Sequence, residues 1–239
     1  MKVIVAGAGT LGRRVTRYVS DKHDVTIIEQ DPERCASVAE EFKGWKEVSV
    51  ILGDIDEPTV LLQAGVDRAD VFVAATGDDE DNIIISQISK LKFGVPKVVA
   101  RVNNPFNQPT FDLLGVEATV CAATSMLRMI LHELPVHKFV HLLSLKRENV
   151  ELVELEVGDT SPFANTYVQD IDLPSGVLLA AIVRAGRALV ARGSTEILPG
   201  DYVLCLLPPG GEKDLIRVFL PEEEAERVQQ LSELDTSAG

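Results

Sequence analysis

The stretch 2–12, K-V-I-V-A-G-A-G-T-L-G, constrains the fold more than any other part of the chain. Val3, Ile4 and Val5 form a short β-branched run suited to a strand buried on both faces, and Gly7, Gly9 and Gly12 follow at once as G-x-G-x-x-G. Each glycine has its own task in such a cradle. Gly7 permits the tight turn out of the strand, Gly9 lets the backbone approach a pyrophosphate, and Gly12 lets the next helix pack closely on the sheet. The free N–H groups and positive end of that helix then face the phosphates. About twenty residues after the glycines, residues 25–28 read as a second strand ending in Glu29, where an acid can accept hydrogen bonds from ribose hydroxyls. Taken singly, the glycines would be a tight turn and Glu29 a solvated strand-end acid; their order and spacing favour a nucleotide site.

The pattern continues as a regular alternation. Leu11, Val15, Tyr18 and Val19 recur at helical spacing, and Asp31-Pro32-Glu33 has the form of a helix cap with proline at the first helical position. Residues 48–52, 69–75, 97–102 and 118–121 read as further strands, with helices expected over 57–65, 83–93 and about 106–114. Strands too apolar to face water, alternating with helices, specify a parallel sheet covered on both sides: a doubly wound α/β domain of Rossmann type. Its ligand belongs across the carboxyl ends of the strands, where Gly7, Glu29, Asp54, Thr76 and Arg101 fall. Asp54 reads equally as a site residue or a loop acid, and Asp79 reads as a helix cap or solvated loop acid.

Residues 125–134 make a helix whose Met126, Leu127, Met129, Ile130, Leu131 and Leu134 are too apolar for the edge of a finished domain, so a second subunit is expected to cover it. Pro135 ends this helix, and 136–149 is expected to be a linker. Within it His137 and His141 are spaced as zinc-binding helical histidines can be; no third ligand stands at a fitting spacing, so they read as linker or interface residues. From residue 150 the pattern turns to short strands over 151–157, 177–184, 188–191 and 202–207, with a hairpin at Gly186, a turn at Pro199-Gly200 and a closing helix over 211–219. The expected organisation is a Rossmann domain over 1–135, a linker over 136–149, a small α+β domain over 150–220 and an acidic tail over 221–239.

A net charge of −14 with no basic run disfavours nucleic acid and anionic lipid as partners. The longest apolar run, 177–183, falls far short of the ~20 residues of a membrane span, and no signal peptide is expected. Cys35, Cys121 and Cys205 form no C-x-x-C, which fits reduced thiols in the cytoplasm. A dehydrogenase would need an acid or base on its second domain, yet no histidine follows His141 and Lys213 is the only lysine after Lys146; Tyr167, Tyr202 and Cys205 read as packing residues. The pocket is therefore read as a binding site whose occupancy alters conformation, with an NAD-dependent oxidoreductase as the alternative.

The segments G-A-G-T-L-G, V-T-I-I-E-Q-D, G-D-I-D-E-P-T-V-L, A-A-T-G-D-D-E-D-N and V-A-R-V-N-N-P, in that order, resemble the N-terminal nucleotide-binding domain of the TrkA/KtrA family, also called the RCK or KTN domain. S-P-F-A-N-T-Y-V-Q-D-I-D-L-P-S-G-V and L-P-G-D-Y-V-L resemble its C-terminal TrkA-C (RCK_C) domain, so the likeness covers nearly the whole chain. The resemblance implies a cytosolic regulatory subunit, not an enzyme, that forms a homodimer through its Rossmann domains and assembles into a higher ring. It would sit at the inner face of the cell membrane on a potassium-translocating subunit of TrkH/KtrB type. In that pattern the loop from Gly7 to Leu11 and Arg101 hold phosphates, Glu29 the ribose, and Thr76-Gly77 the far side of the nucleotide. Together with the residues read above, the candidate binding set is Gly7, Ala8, Gly9, Thr10, Leu11, Gly12, Glu29, Asp54, Thr76, Gly77 and Arg101. NAD(H) is the expected ligand, with ADP or ATP as alternatives; Thr10 stands where ATP-responsive members tend to carry arginine. Ala122-Ala123-Thr124 stand where some members place a glutamate for a divalent cation at the dimer seam, so no metal is expected there, Glu117 and Glu133 being the possible substitutes.

Overall fold

The computed structural model describes residues 1–116, 118–133, 139–145, 149–221 and 225. The chain divides into two compact units, Met1–Ala123 and Thr124–Gly239. In the first, strands and helices alternate: β1 (Lys2–Ala6), α1 (Thr10–Val19), β2 (Asp24–Glu29), α2 (Pro32–Glu41), β3 (Val48–Leu52), α3 (Pro58–Ala64), β4 (Val71–Ala74), α4 (Asp79–Gln87), β5 (Lys97–Val102), α5 (Gln108–Leu113) and β6 (Ala118–Cys121), from which α6 (Ala122–Glu133) runs on. The six strands are all parallel, in the order β3-β2-β1-β4-β5-β6. Growth of the sheet reverses between β3 and β4, so the carboxyl ends of β1 and β4 flank the switch point where such sheets take their ligands.

Side chains alternate across β1 and divide between two cores. Val3 and Val5 join Val25, Ile27, Val38 and Phe42 beneath α1 and α2, whereas Ile4 and Ala6 join Ile28, Leu61, Phe72, Ile85 and Phe111 on the opposite face. The first face thins towards β6: Val71 and Val73 are only half-buried, and Val120 is 54% exposed. Helix starts follow local chemistry. Asp31 accepts a hydrogen bond from Arg34 N (2.8 Å) with Pro32 opening α2, and Asp78 caps α4 by accepting from Glu80 N (2.8 Å) and Asp81 N (3.3 Å). The helix expected over 83–93 thus begins earlier, at Asp79, and then changes pitch: Ile88–Lys92 is a π-helical turn in which Phe93 N donates to Ile88 O (3.2 Å).

The second unit holds β7 (Phe139–Leu145), β8 (Val150–Glu156), β9 (Thr166–Tyr167), β10 (Leu178–Arg184), β11 (Arg187–Val190), β12 (Glu196–Ile197), β13 (Tyr202–Leu207) and α7 (Glu212–Phe219). An antiparallel sheet runs β11-β10-β13-β8-β7, with β9 and β12 paired apart from it. Val153, Leu155, Ile182, Val203 and Cys205 pack with Leu215 and Phe219 of α7. Positive φ at Ala185 (49°) and Gly186 (73°) gives the turn that joins β10 to β11. Asp201, 1% exposed, is held by Arg184, whose Nε and Nη2 each donate at 2.7 Å, and by Leu198 N at 2.8 Å.

The expected linker is corrected as well. Segment 136–149 is not simply a linker, because β7 lies within it and pairs with β8. A shift of register between His141 and Leu143 breaks the apolar-polar alternation that would otherwise have marked a strand. His137, Leu134, Glu117 and the tail beyond Pro221, apart from Ala225, lie outside the described residues. Among the described residues no helix is long and apolar enough to cross a membrane, and Cys35, Cys121 and Cys205 are all buried.

Candidate nucleotide-binding site

The three glycines of the first loop meet different surroundings. Gly7 has φ +97°, and a Cβ there would lie 2.9 Å from Ala75 O, so the turn off β1 admits glycine alone. A Cβ on Gly12 would stand 1.9 Å from Gly7 O. Gly12 therefore lets α1 close on its own preceding loop, a tighter constraint than the contact with the sheet that the spacing suggested; Val5 is 3.4 Å away. Gly9 is the opposite case. It caps α1 in an extended conformation, and a Cβ there would meet nothing within 4 Å. The one loop glycine free of intramolecular crowding is thus the one assigned to approach a pyrophosphate.

Glu29 is buried, at 4% exposure, rather than solvated. Its Oε2 accepts from Ala8 N (2.9 Å) and its Oε1 from Asp31 N (3.0 Å), so a single carboxylate braces both the glycine loop and the turn after β2. Arg34 Nη2 is 3.4 Å from the same carboxylate. A cleft of about 520 Å³ opens here, lined by Ala8, Gly9 and Thr10 with Arg13, Arg14, Arg17, Arg34 and Glu41. Arg13 donates to Ala8 O (2.9 Å) and Arg13 and Arg17 both pair with Glu41 (3.1 and 2.7 Å), which leaves the cleft with a surplus of positive charge beside the helix N-terminus. Reading the glycines alone missed these arginines; R-R-x-x-R directly after Gly12 was the available signal. A larger cleft, about 730 Å³, lies by Met1, Val3, Tyr18, Val71 and Val73, towards the other end of β1, with Arg14, Arg17, Asp21, Lys22 and His23 also in its lining; it lies away from the glycine loop.

Across the switch point, Asn82 organises the end of β4. Fully buried, it accepts from Thr76 N (3.0 Å) and Thr76 Oγ1 (2.9 Å) and donates through Nδ2 to Arg101 O (3.0 Å), joining the β4 loop to β5. Gly77 beside it is exposed, with open space around a would-be Cβ. Asp79 is not the solvated loop acid or cap expected. It is 8% exposed, and its Oδ1 accepts from Asn103 N (2.6 Å) and Nδ2 (2.9 Å) while Oδ2 accepts from Asn104 N (2.9 Å) and Asn107 Nδ2 (2.8 Å). Burial alone would raise its pKa; these four bonds outweigh burial and hold the carboxyl below its ordinary value.

Since Asp79 is saturated, it is not a partner for Arg101, whose guanidinium makes no ion pair or hydrogen bond among the described residues. The register Val73↔Val99 places Arg101, two residues on, at the carboxyl end of β5 and on the α1 side of the sheet. Thr10 and Leu11 open α1 and are exposed. Asp54 is exposed and caps its own loop, accepting from Asp56 N (3.0 Å). Asp56 has its pKa raised by burial and then by Asp81, Asp54 and Asp78, so this edge of the site is strongly negative and repels phosphate.

Residues 3–122 match the family model of the TrkA-N domain, and residues 152–220 that of the TrkA-C domain. The chain belongs to the TrkA family. It is 35% identical over 223 residues to the Trk system potassium uptake protein TrkA of Mycobacterium tuberculosis (strain H37Rv), spanning 92% of this chain and 99% of that protein. A TrkA homolog from Archaeoglobus fulgidus is 33% identical over 85% of this chain, which spans 46% of that longer relative. The GsuK channel solved with NAD bound superposes with a TM-score of 0.58 at 19% identity, over 92% of this chain and 40% of the channel's, a likeness of fold.

Proposed function

We propose that this TrkA-family chain is a cytosolic, nucleotide-sensing regulatory subunit of a Trk/Ktr-type potassium uptake system, binding NAD(H) and controlling a membrane potassium-translocating partner of TrkH/KtrB type. The observation that carries this reading is the glycine loop: an uncrowded Gly9 at the N-terminus of α1, among arginines, with the buried acid Glu29 behind it. Kinship with potassium uptake proteins along nearly the whole chain supports the physiological role. The pyrophosphate lies over Gly9, Thr10 and Leu11, with Arg101 opposite; Glu29 serves the ribose, and Thr76-Gly77 the far end of the ligand. ADP and ATP carry the same adenosine and phosphates and are the competing ligands. The protein is a sensor rather than an enzyme, so steady turnover of NADH that a pocket substitution abolishes would favour the oxidoreductase instead.

Arg101→Ala is expected to leave the melting temperature unchanged and to weaken NAD(H) by roughly ten- to a hundredfold in a calorimetric titration, the loss typical of one charge-assisted contact. In cells, the same substitution should remove the nucleotide dependence of potassium uptake, because occupancy and gating are coupled. Unchanged affinity would take Arg101 out of the site.

The working form is a homodimer that assembles into a higher ring. On α6, Met126, Met129 and Ile130 are 63%, 70% and 57% exposed, and Val71, Val73 and Val120 leave part of the first sheet incompletely covered. A second copy would bury such surfaces. Light scattering is expected to give at least a dimer at micromolar concentration; a monomer with and without nucleotide would sink both the dimer and the ring.

A further inference from the structure

The second unit brings together three side chains that lie far apart in sequence. His141 stands on β7, Glu151 on β8 and Glu212 at the first position of α7. One donor atom from each lies within 4.8 Å of the others. His141 Nδ1 is 2.7 Å from Glu212 Oε1, and the opposite ring nitrogen, Nε2, is 2.9 Å from Ser144 Oγ. All three side chains are partly buried, His141 at 21% and Glu212 at 24% side-chain exposure, so an ion could reach them while much of the surrounding water is excluded.

We propose that His141, Glu151 and Glu212 form a binding site for a first-row divalent metal ion of zinc type, tying the β7-β8 hairpin to α7. One imidazole with two carboxylates is a borderline nitrogen-oxygen donor set, which suits zinc and its neighbours better than magnesium or calcium, ions that take oxygen almost alone. Tetrahedral metal bonds of roughly 2.1 Å set donors about 3.4 Å apart, so the 2.7 Å His141–Glu212 pair must open slightly and a separation of up to 4.8 Å must close by about 1.4 Å or less, within the reach of a glutamate side-chain rotation. Ser144 completes the arrangement. With the metal on Nδ1, the Nε2–H donates to Ser144 Oγ, the supporting hydrogen bond that fixes the tautomer and orientation of a ligating histidine. The metal takes the place of the Nδ1 proton that otherwise faces Glu212; in a neutral ring that proton moves to Nε2, the tautomer that the hydrogen bond to Ser144 supports. Three protein donors leave a coordination position for water, which makes the ion exchangeable. The site is independent of the nucleotide cradle, which lies in the other unit.

The test uses the full chain stripped with a chelator and titrated calorimetrically with zinc chloride alone, then with manganese, magnesium and calcium chlorides. One zinc ion per chain is expected, with a rise in melting temperature as the bound ion stabilises the folded unit, and with no competition from magnesium or calcium. His141→Gln and Glu212→Gln should each weaken zinc by roughly ten- to a hundredfold. Cobalt(II) in place of zinc should show ligand-field bands without thiolate charge transfer, which separates this site from adventitious cysteine binding. Should His141→Gln fail to fold by circular dichroism, Glu151→Gln and Glu212→Gln, which keep side-chain length, carry the comparison. Absence of zinc binding, equal competition by magnesium, or unchanged affinity in the folded variants would overturn the proposal.

Discussion

Gly12→Ala is expected to cost the first unit about 3 kcal/mol or more, whereas Gly9→Ala is expected to leave its melting temperature in place and to cut affinity for NAD(H) by about tenfold. The contrast comes from the surroundings a methyl group would meet. At Gly12 it would stand 1.9 Å from the carbonyl oxygen of Gly7, a backbone atom in a turn that Ala75 already confines, so neither side can give way without moving β1 or α1. Against a total stability of typically 5–15 kcal/mol, that loss is large. At Gly9 the backbone is extended, which alanine adopts freely, and a methyl group would touch no protein atom within 4 Å. It would instead hold a pyrophosphate away from the main-chain N–H groups. Thermal melts and calorimetric titration of the two variants check both halves. A Gly9→Ala protein that binds NAD(H) like the parent would remove the pyrophosphate from this loop.

Asp79→Ala should destabilise the first unit by about 3 kcal/mol, and Asp79→Asn nearly as much. Alanine leaves two backbone N–H groups and two side-chain amides without their acceptor; asparagine turns an NH2 group towards donors on one side. The pH dependence has a definite sign. Because the folded pKa is depressed, Asp79 contributes its full stability above the unfolded value of about 3.9, and that contribution is lost as pH falls through the lower, folded value. Urea unfolding at neutral pH and at about pH 3 should therefore show the gap between wild type and Asp79→Asn narrowing in acid. A gap that stays constant with pH would mean the carboxylate is not the charged staple described.

The first sheet was legible because parallel strands buried on both faces write themselves as β-branched runs, and β1 to β5 are each followed within a few residues by a glycine, an acid or a proline that marks the turn. In the second unit the hairpin at Gly186 and the strand Tyr202–Leu207 were equally plain. β7 was not, since the irregularity after His141 puts two leucines in succession and disrupts the period of two by which a half-buried strand is recognised. At the site, the glycines and Glu29 were readable from spacing. The work of Asp79 and Asn82 was not, because their partners Asn103, Asn104, Asn107 and the Arg101 carbonyl become neighbours only when β4 and β5 pair. The same holds for His141, Glu151 and Glu212, whose proximity depends on the β7-β8 pairing and on where α7 begins.

The π-helical turn at Ile88–Lys92 bears on how this chain tolerates change in length. Such a turn spreads its hydrogen bonds over five residues instead of four, which is the way a helix absorbs one inserted residue without disturbing the strand after it. Here the surplus is taken up before Gly94, where φ is +67° and Val95 N donates back to Ser89 O (3.0 Å), so β5 starts in register. Deleting a single residue from this turn should let it relax to an ordinary α-helix while Arg101 stays at the end of its strand. The same deletion inside β4 or β5 would turn every later side chain of that strand to the opposite face.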